Sequence, residues 1–209
     1  MIETISYFAS LPILEVIAVI TALIYVILAA KGHMWCWPAA LVSTLLYTVI
    51  FYDVYLWMDS LLQIYYMVMA VYGWYCWQKG TSKTNKQIQG VSITISQWAI
   101  KNHLVAIVLL ALLSVLLGWF MSNNTPTDFP YIDAATTVFA VFATYLVTQK
   151  VLENWLYWLV IDFISIYIYI QKGLTPTAVL FVLYLILATY GYYHWLQILQ
   201  QQKQAESSV

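Results

Sequence analysis

A single acidic residue, Asp162, lies in the middle of the long apolar segment 154–171. If the segment is helical, Trp158 and Asp162 share one face, with Trp155 and Ser165 beside them. A carboxylate at the bilayer centre costs about 2.5–3.5 kcal/mol on insertion scales, so it needs a polar neighbour, a water-filled cavity or a cation. The adjacent indole favours contact with a polar or cationic solute; a structural hydrogen bond between helices is the alternative.

Two further acids occupy equivalent places near the starts of other apolar segments. Glu15 and Asp133 each follow a proline by three residues. An acid in the first turn of a helix complements the helix dipole, and that role is sufficient for Glu15. Asp133 has a second interpretation as a substrate contact, because Thr136 and Thr137 follow it on an adjacent face.

The chain repeats itself without a gap at a spacing of 118 residues, the spacing that separates Trp37 from Trp155 and Tyr66 from Tyr184. Segments 12–77 and 130–195 are therefore diverged copies, and both end in the motif Tyr-Gly-aromatic-Tyr-x-Trp. Duplicated units in apolar chains are typical of transporters, whose substrate sites lie between the repeats.

Aromatic residues are abundant, with 10 Trp and 18 Tyr. Trp74 is the motif residue best suited to stack on a flat ring, whereas an interfacial aromatic belt is predicted for Trp77 and Trp195. Gln63, three residues before Tyr66, either satisfies the bundle interior or recognises an amide or hydroxyl of a substrate. Flat cationic or heteroaromatic substrates bind through stacking and cation–π contacts.

Composition indicates that lipid is the solvent, because 63% of the 209 residues are hydrophobic and only 8% are charged. A soluble domain carries about a quarter charged residues. The first apolar segment lacks a basic flank and is expected to stay in the mature protein. Seven segments are long enough to span a bilayer: 12–30, 37–53, 60–78, 98–121, 130–149, 154–171 and 176–197.

The predicted fold is an all-α integral membrane protein with seven transmembrane helices. Each copy supplies three spans, and the one extra span between them gives a parallel 3+1+3 arrangement about an axis along the membrane normal. The predicted parts are a first three-helix repeat (1–78), a linker with an inverting fourth helix (79–129), a second repeat (130–199) and a disordered cytoplasmic tail (200–209).

The basic residues predict the orientation. With seven spans, seven of the eight lysines fall on one side and only Lys172 on the other. Cytoplasmic loops carry an excess of Lys and Arg, so the N-terminus is predicted outside and the C-terminus in the cytoplasm.

The absence of characteristic motifs excludes several classes of function. The chain has no phosphate-binding loop for an ATPase, no metal spacing among Cys36, Cys76 and the three histidines, and no catalytic constellation of an intramembrane enzyme. We expect no enzyme activity, no cofactor, no metal and no nucleic-acid partner.

Three motifs are informative together: Leu62-Gln63 running into Tyr72-Gly73-Trp74-Tyr75-x-Trp77, then Glu153-Asn154-Trp155-Leu-x-Trp158, then Lys172-Gly173-Leu174. With them the chain resembles, over nearly its whole length, the PnuC family of bacterial vitamin transporters. The resemblance implies a 3+1+3 bundle related to SWEET sugar transporters but of different helix order, and a homotrimer. It also implies facilitated diffusion of an unphosphorylated vitamin, chiefly nicotinamide riboside, that a cytoplasmic kinase then traps.

The resemblance places the site on spans three and six, which points to Gln63, Tyr66, Trp74, Asn154, Trp155 and Trp158. Where several nicotinamide riboside carriers of this family have asparagine, this chain has Asp162. An acid suits the fixed positive charge of nicotinamide riboside and of thiamine alike, and it argues against neutral riboflavin.

The predicted function is therefore uptake of a cationic aromatic vitamin across the bacterial inner membrane, by rocking of the two three-helix repeats against each other. Nicotinamide riboside is the expected substrate and thiamine the alternative; a non-transporting sensory module and a SWEET-type sugar carrier are hypotheses of other classes. The candidate substrate contacts are Gln63, Tyr66, Trp74, Asp133, Asn154, Trp155, Trp158, Asp162 and Tyr184.

Overall fold

The computed structural model describes residues 13–53, 57–81, 94–125, 128–171, 173 and 175–207. Over these residues the chain forms seven α-helices, and an isolated bridge joins Ser96 to Val151. The helices are α1 (Ile13–Ala30), α2 (Cys36–Asp53), α3 (Trp57–Thr81), α4 (Ile100–Asn124), α5 (Pro130–Thr148), α6 (Asn154–Gln171) and α7 (Thr175–Ser207). The prediction of an all-α fold with seven helices is confirmed. Most of the predicted linker, 82–93, lies outside the described residues.

Five helices in the described part of the chain are long and apolar enough to cross a bilayer: α1, α2, α4, α5 and the 177–205 part of α7. The helices α3 and α6 fall below that hydropathy. They are the helices that carry Gln63 and Asp162. Both helices also contain several Tyr and Trp residues, which lower their mean hydropathy further.

Helix packing follows the sequence repeat. We call α1–α3 the first triplet and α5–α7 the second triplet. Within the triplets, α2 contacts α1 and α3, and α6 contacts α5 and α7; between them, α1 contacts α7 and α3 contacts α5, while α4 packs on α5. Each contact of one triplet has its counterpart in the other, as expected of two copies exchanged by a twofold rotation. The parallel 3+1+3 orientation across a bilayer stays a prediction.

Equivalent turns end α1 and α5. The left-handed residue is Gly32 (φ 65°) after α1 and Lys150 (φ 59°) after α5. Both turns are closed by the same backbone hydrogen bond between residues five apart, from His33 N to Leu28 O at 2.9 Å and from Val151 N to Leu146 O at 3.0 Å. Burial lowers the pKa of Lys150, since desolvation disfavours its ammonium, which donates to Cys76 O at 3.3 Å.

Two tryptophans cross-link the triplets. Trp77 of α3 donates its indole N–H to Val147 O of α5 at 3.1 Å, and Trp195 of α7 donates to Ala29 O of α1 at 3.0 Å. Both indoles are fully buried. The predicted interfacial belt is therefore wrong for these two residues: helix packing places them in the core, where the indole N–H finds a carbonyl instead of a headgroup.

Four indoles form one cluster at the contact between triplets. Trp37 lies edge-on to Trp77 with 5.2 Å between ring centroids, and Trp155 lies edge-on to Trp195 at 5.5 Å. A Cβ at Gly73 would overlap the Trp37 ring, and the equivalent Cβ at Gly191 would overlap Trp155. The glycines of the repeated motif are thus needed for helix α2 to approach α3 and for α6 to approach α7.

Hydrogen bonds join the segment before α4 to the polar end of α7. Lys203 Nζ donates to Gln97 Oε1 at 2.9 Å, and Ile95 N donates to Gln202 Oε1 at 3.1 Å. Helix α7 continues to Ser207. The prediction of a disordered tail from 200 is therefore wrong as far as Ser207, because these hydrogen bonds stabilise a helix whose composition alone indicates a solvated tail.

Candidate substrate site

A cavity of about 320 Å³ lies between the two triplets and is bordered by all six of their helices. From the first triplet it is lined by Ala22, Tyr25, Val26, Ala29, Trp37, Ala40, Ser43, Thr44, Tyr47, Gln63, Tyr66 and Ala70. From the second triplet it is lined by Thr144, Val147, Trp155, Trp158, Asp162, Phe181, Tyr184 and Ala188.

Equivalent residues of the two triplets line the cavity. Sixteen of its twenty lining residues form eight pairs at the repeat spacing. The pairs are Val26 with Thr144, Ala29 with Val147, Trp37 with Trp155, Ala40 with Trp158, Thr44 with Asp162, Gln63 with Phe181, Tyr66 with Tyr184, and Ala70 with Ala188. A site between repeats is the arrangement found in transporters built by duplication.

Two identical aromatic pairs give the cavity its symmetric part. Trp37 and Trp155 are nearly fully buried, and neither indole N–H has a hydrogen-bond partner in the described part of the chain. Tyr66 and Tyr184 form the second pair. Buried polar groups are normally hydrogen-bonded, so the two unpartnered indoles beside a cavity indicate donors reserved for a ligand or water.

Four pairs differ in chemistry, Val26 with Thr144 among them, and the other three make the cavity asymmetric. The second triplet contributes the acid and a large indole, Asp162 and Trp158, where the first has Thr44 and Ala40. Gln63 of the first triplet is matched by apolar Phe181. The wall of the second triplet therefore presents an acid and an aromatic face, and the wall of the first presents uncharged polar groups.

Asp162 is the ninth of the 18 residues of α6 and is only 3% exposed. None of the described residues donates it a hydrogen bond or pairs with it as an ion, and none of those lining the cavity is Lys, Arg or His. Its electrostatic neighbour is the phenol of Tyr184. A buried carboxylate without a partner is costly, so the geometry favours a cationic ligand over a structural hydrogen bond.

The first triplet supplies most of the hydroxyl groups. Within the described residues, the phenols of Tyr25, Tyr47 and Tyr66 make no hydrogen bond. The hydroxyls of Ser43 and Thr44 donate to backbone carbonyls at 3.0 and 2.8 Å but can still accept. This wall suits a partner rich in hydroxyl groups.

The structure brings six of the nine predicted contacts into the cavity: Gln63, Tyr66, Trp155, Trp158, Asp162 and Tyr184. It does not bring Trp74, Asn154 or Asp133 there. Whether the six touch a substrate stays a prediction.

Each of the three outlying residues has a local reason for its place. Trp74 packs edge-on against Trp35, with 6.1 Å between ring centroids. Asn154 opens α6, fully buried, and donates to Val151 O at 2.7 Å, which fixes the preceding turn. Asp133 lies in the first turn of α5, about three turns from Thr144, the nearest α5 residue in the cavity lining.

Sequence reasoning missed several lining residues. Trp37 and Thr44 had a usable signal, because the repeat spacing maps them onto Trp155 and Asp162. Tyr25 and Tyr47 had none, since one tyrosine among many in an apolar chain does not show which way it faces.

A cluster of buried polar side chains joins α4 to the first turn of α6. His103 of α4 lies 3.0 Å from the hydroxyl of Tyr157 and 3.6 Å from Glu153 Oε2. The same carboxylate oxygen accepts a hydrogen bond from Trp98 N at 3.3 Å. Helix α4 thereby anchors the cavity-lining helix without contributing to the cavity.

These features define a class: an all-helical membrane transport protein built from a duplicated helix triplet, with a cavity between the copies. The model of the family described as "Nicotinamide mononucleotide transporter" matches residues 12–197. The chain belongs to this family, the PnuC family whose motifs it carries, and is a multi-pass membrane protein of vitamin transport.

Curated relatives and a solved structure agree with this assignment. The nicotinamide riboside transporter PnuC of Escherichia coli (strain K12) is 24% identical over 203 residues, covering 88% of this chain and 84% of that protein. The riboflavin/roseoflavin transporter RibM of Streptomyces davaonensis is 26% identical over 181 residues, covering 87% and 83%. A crystal structure of the vitamin B3 transporter PnuC shares the fold, with a TM-score of 0.76 at 19% identity over 95% of this chain and 87% of that one. These relatives are transporters rather than enzymes.

Proposed function

We propose that this protein carries nicotinamide riboside down its concentration gradient across the bacterial inner membrane, and that a cytoplasmic kinase then traps it by phosphorylation. The observation that carries the proposal is the unpartnered carboxylate of Asp162 one helical turn from Trp158. A pyridinium ring is flat and cationic, so it stacks on an indole and balances a carboxylate at the same time.

The hydroxyl groups of the first triplet favour nicotinamide riboside over thiamine. Both molecules carry a fixed positive charge, but only the riboside ends in a sugar with several hydroxyls. The phenols of Tyr25, Tyr47 and Tyr66 and the amide of Gln63 are the groups available to bind that sugar.

Riboflavin is the weaker candidate, although the relative RibM is named as a riboflavin/roseoflavin transporter. Its ribityl chain suits the hydroxyl-rich wall. Its ring system is neutral, however, and would leave the charge of Asp162 without a partner.

The orientation we propose has the C-terminus in the cytoplasm. Supporting it, Lys203 bonds to Gln97, whose segment pairs with the α5–α6 turn that holds Lys150. These lysines therefore lie at one end of the bundle, which the positive-inside rule assigns to the cytoplasm. A homotrimer, implied by the family resemblance, completes the proposal, and its mass in native mass spectrometry tests it.

Uptake into proteoliposomes tests the function. Vesicles with purified protein should fill with labelled nicotinamide riboside to a saturable rate, and thiamine and riboflavin should compete less well. Binding without filling would indicate a sensory module. Stronger inhibition by thiamine or riboflavin would transfer the substrate assignment to that vitamin.

A further inference from the structure

Glu15 continues the cavity-facing side of α1 beyond the cavity. Four residues of α1 line the cavity, and they follow Glu15 and Ala18 on one helix face at spacings of three or four residues. These four are Ala22, Tyr25, Val26 and Ala29. Ala18 is fully buried, whereas Glu15 is partly exposed. The Glu15 side chain therefore lies past the edge of the cavity, on the face of α1 that borders it.

A hydrogen bond fixes the height of Glu15 along the bundle. Ser43 Oγ of α2 donates to Ala18 O of α1 at 3.0 Å. From this bond toward the end of the bundle opposite the tryptophan cluster, three residues along α1 lead to Glu15 and four along α2 lead to Tyr47. The side chains of Glu15 and Tyr47 are electrostatic neighbours. Tyr47 lines the cavity, so Glu15 lies level with the residues at this end of the cavity.

The equivalent acid of the second triplet, Asp133, is separated from the cavity. On α1, Ala22 and Tyr25 line the cavity. Their repeat equivalents on α5, Ala140 and Ala143, are instead buried in an apolar cluster. The inner face of α5 is therefore covered between its first-turn acid and the cavity, whereas the inner face of α1 borders the cavity directly.

Two carboxylates without partners thus follow one another from this end of the bundle. Within the described residues, Glu15 makes no hydrogen bond and no ion pair, and the same is true of Asp162. The orientation proposed above places this end outside, so an entering cation meets the partly exposed acid first and the buried acid second. A cleft lined by charge of one sign concentrates ligands of the opposite sign and raises their association rate.

We propose that Glu15 is a further substrate residue, which draws the cationic vitamin to the outer edge of the cavity before the vitamin passes to Asp162. The inference rests on the proposed function and adds the entry step to it. This role is additional to compensation of the helix dipole. Because the acid eases movement between the cavity and the outer solution in both directions, transport stays uncoupled and its end point is unchanged.

Initial rates in proteoliposomes that contain the full chain test the entry step, with labelled nicotinamide riboside as the probe. Glu15→Gln keeps the side-chain size and removes the charge. At low ionic strength it should lower Vmax/KM for uptake roughly 3- to 10-fold, since one charge supplies the attraction. The loss should shrink in 1 M salt, where the Debye length is about 3 Å. Without an imposed potential, uptake and efflux should slow by the same factor and the final concentration ratio should not change.

Four comparisons separate entry from a structural role. Glu15→Asp keeps the charge and should recover most of the rate. The uncharged dihydro form of the riboside should enter wild-type and Glu15→Gln vesicles equally fast. Asp133→Asn removes the equivalent first-turn acid and should have a smaller effect. The matched control is Asp53→Asn, which removes an exposed carboxylate at the end of α2 and should leave uptake unchanged.

The two proposals fail differently. Wild-type rates in Glu15→Gln, or an equal loss for the dihydro form, would overturn the entry role and leave the proposed function standing. An equal loss in Asp133→Asn would also overturn the entry role, because it would assign the effect to the helix dipole. If the wild-type protein takes up no nicotinamide riboside, both proposals are wrong.

Discussion

Asp162 and Thr44 are equivalent residues of the two triplets, both line the same cavity, and only Asp162 carries a charge. The site is thus a symmetric aromatic frame, built on Trp37 and Trp155, whose two walls have diverged in chemistry. One wall carries the acid and a large indole, and hydroxyl groups line the other.

Replacement of Asp162, the acidic residue of this pair, should weaken the binding of a cationic substrate. Asp162→Asn keeps the side-chain size and removes the charge, and we expect affinity for nicotinamide riboside to fall roughly 10- to 100-fold, the range of a charge-assisted contact. Calorimetry on purified protein measures this. The uncharged dihydro form of the riboside is the matched ligand, and it should bind both proteins alike; an equal loss for both ligands would place Asp162 in a structural role.

The hydroxyl-rich wall makes a prediction of its own. Tyr47→Phe and Tyr66→Phe should each reduce affinity for nicotinamide riboside by roughly 5- to 10-fold, since each removes one hydrogen bond worth about 1 kcal/mol. Thiamine affinity should change less because it lacks the sugar. Calorimetry with both compounds decides, and equal losses for both would contradict the assignment of this wall to the ribose.

The close approach at the motif glycines should be intolerant of a methyl group. Gly73→Ala and Gly191→Ala each force a Cβ into an indole ring, and we expect a loss of about 1–3 kcal/mol of stability, larger at Gly73 where the overlap is greater. Thermal unfolding in detergent measures this. Trp37→Leu in the Gly73→Ala background should recover part of the loss; no recovery would mean that Trp37 is not the obstacle.

The crossed indole bonds should contribute equally. Trp77→Phe and Trp195→Phe each remove the indole donor from a buried carbonyl, Val147 O or Ala29 O, that keeps a backbone N–H donor, and each should cost about 0.5–1.5 kcal/mol. Trp119→Phe on the exposed face of α4 is the control and should have no effect on the unfolding temperature. A clear inequality between the two core variants would contradict their equivalence.

The left-handed turn residues differ between copies and give an asymmetric prediction. Gly32→Ala should cost about 1 kcal/mol, because a Cβ disfavours positive φ. Lys150→Gly should be near neutral, since the relief of strain offsets the lost hydrogen bond to Cys76 O. Unfolding temperatures of the two variants measure the difference, and a large loss for Lys150→Gly would mean that its ammonium contact dominates.

The helices and the duplication were predictable because they rest on apolar length and on spacing, which are properties of the sequence itself. Asp162 was predictable for a related reason: a charge is conspicuous in an apolar segment. Which face of each helix borders the cavity was not predictable. In a bilayer both faces are apolar, so the amphipathic pattern that orients a soluble helix is missing.

Trp74 and Tyr47 illustrate that difficulty. Trp74 belongs to a repeated motif yet packs on Trp35, and Tyr47 belongs to no motif yet lines the cavity. The prediction of a disordered tail at the end of α7 was wrong for another reason. Its polar composition indicates solvent, but hydrogen bonds to Gln97 and Ile95, distant in sequence, hold it as a helix.

The reciprocal donation from Trp77 and Trp195 limits how the protein can move. Each triplet holds the other through a carbonyl at the end of its first helix, Ala29 in one and Val147 in the other. Any movement that separates the two triplets at this end has to break both hydrogen bonds, because one joins α3 to α5 and the other joins α7 to α1. We therefore expect this end of the bundle to resist opening more than a contact held by one such bond.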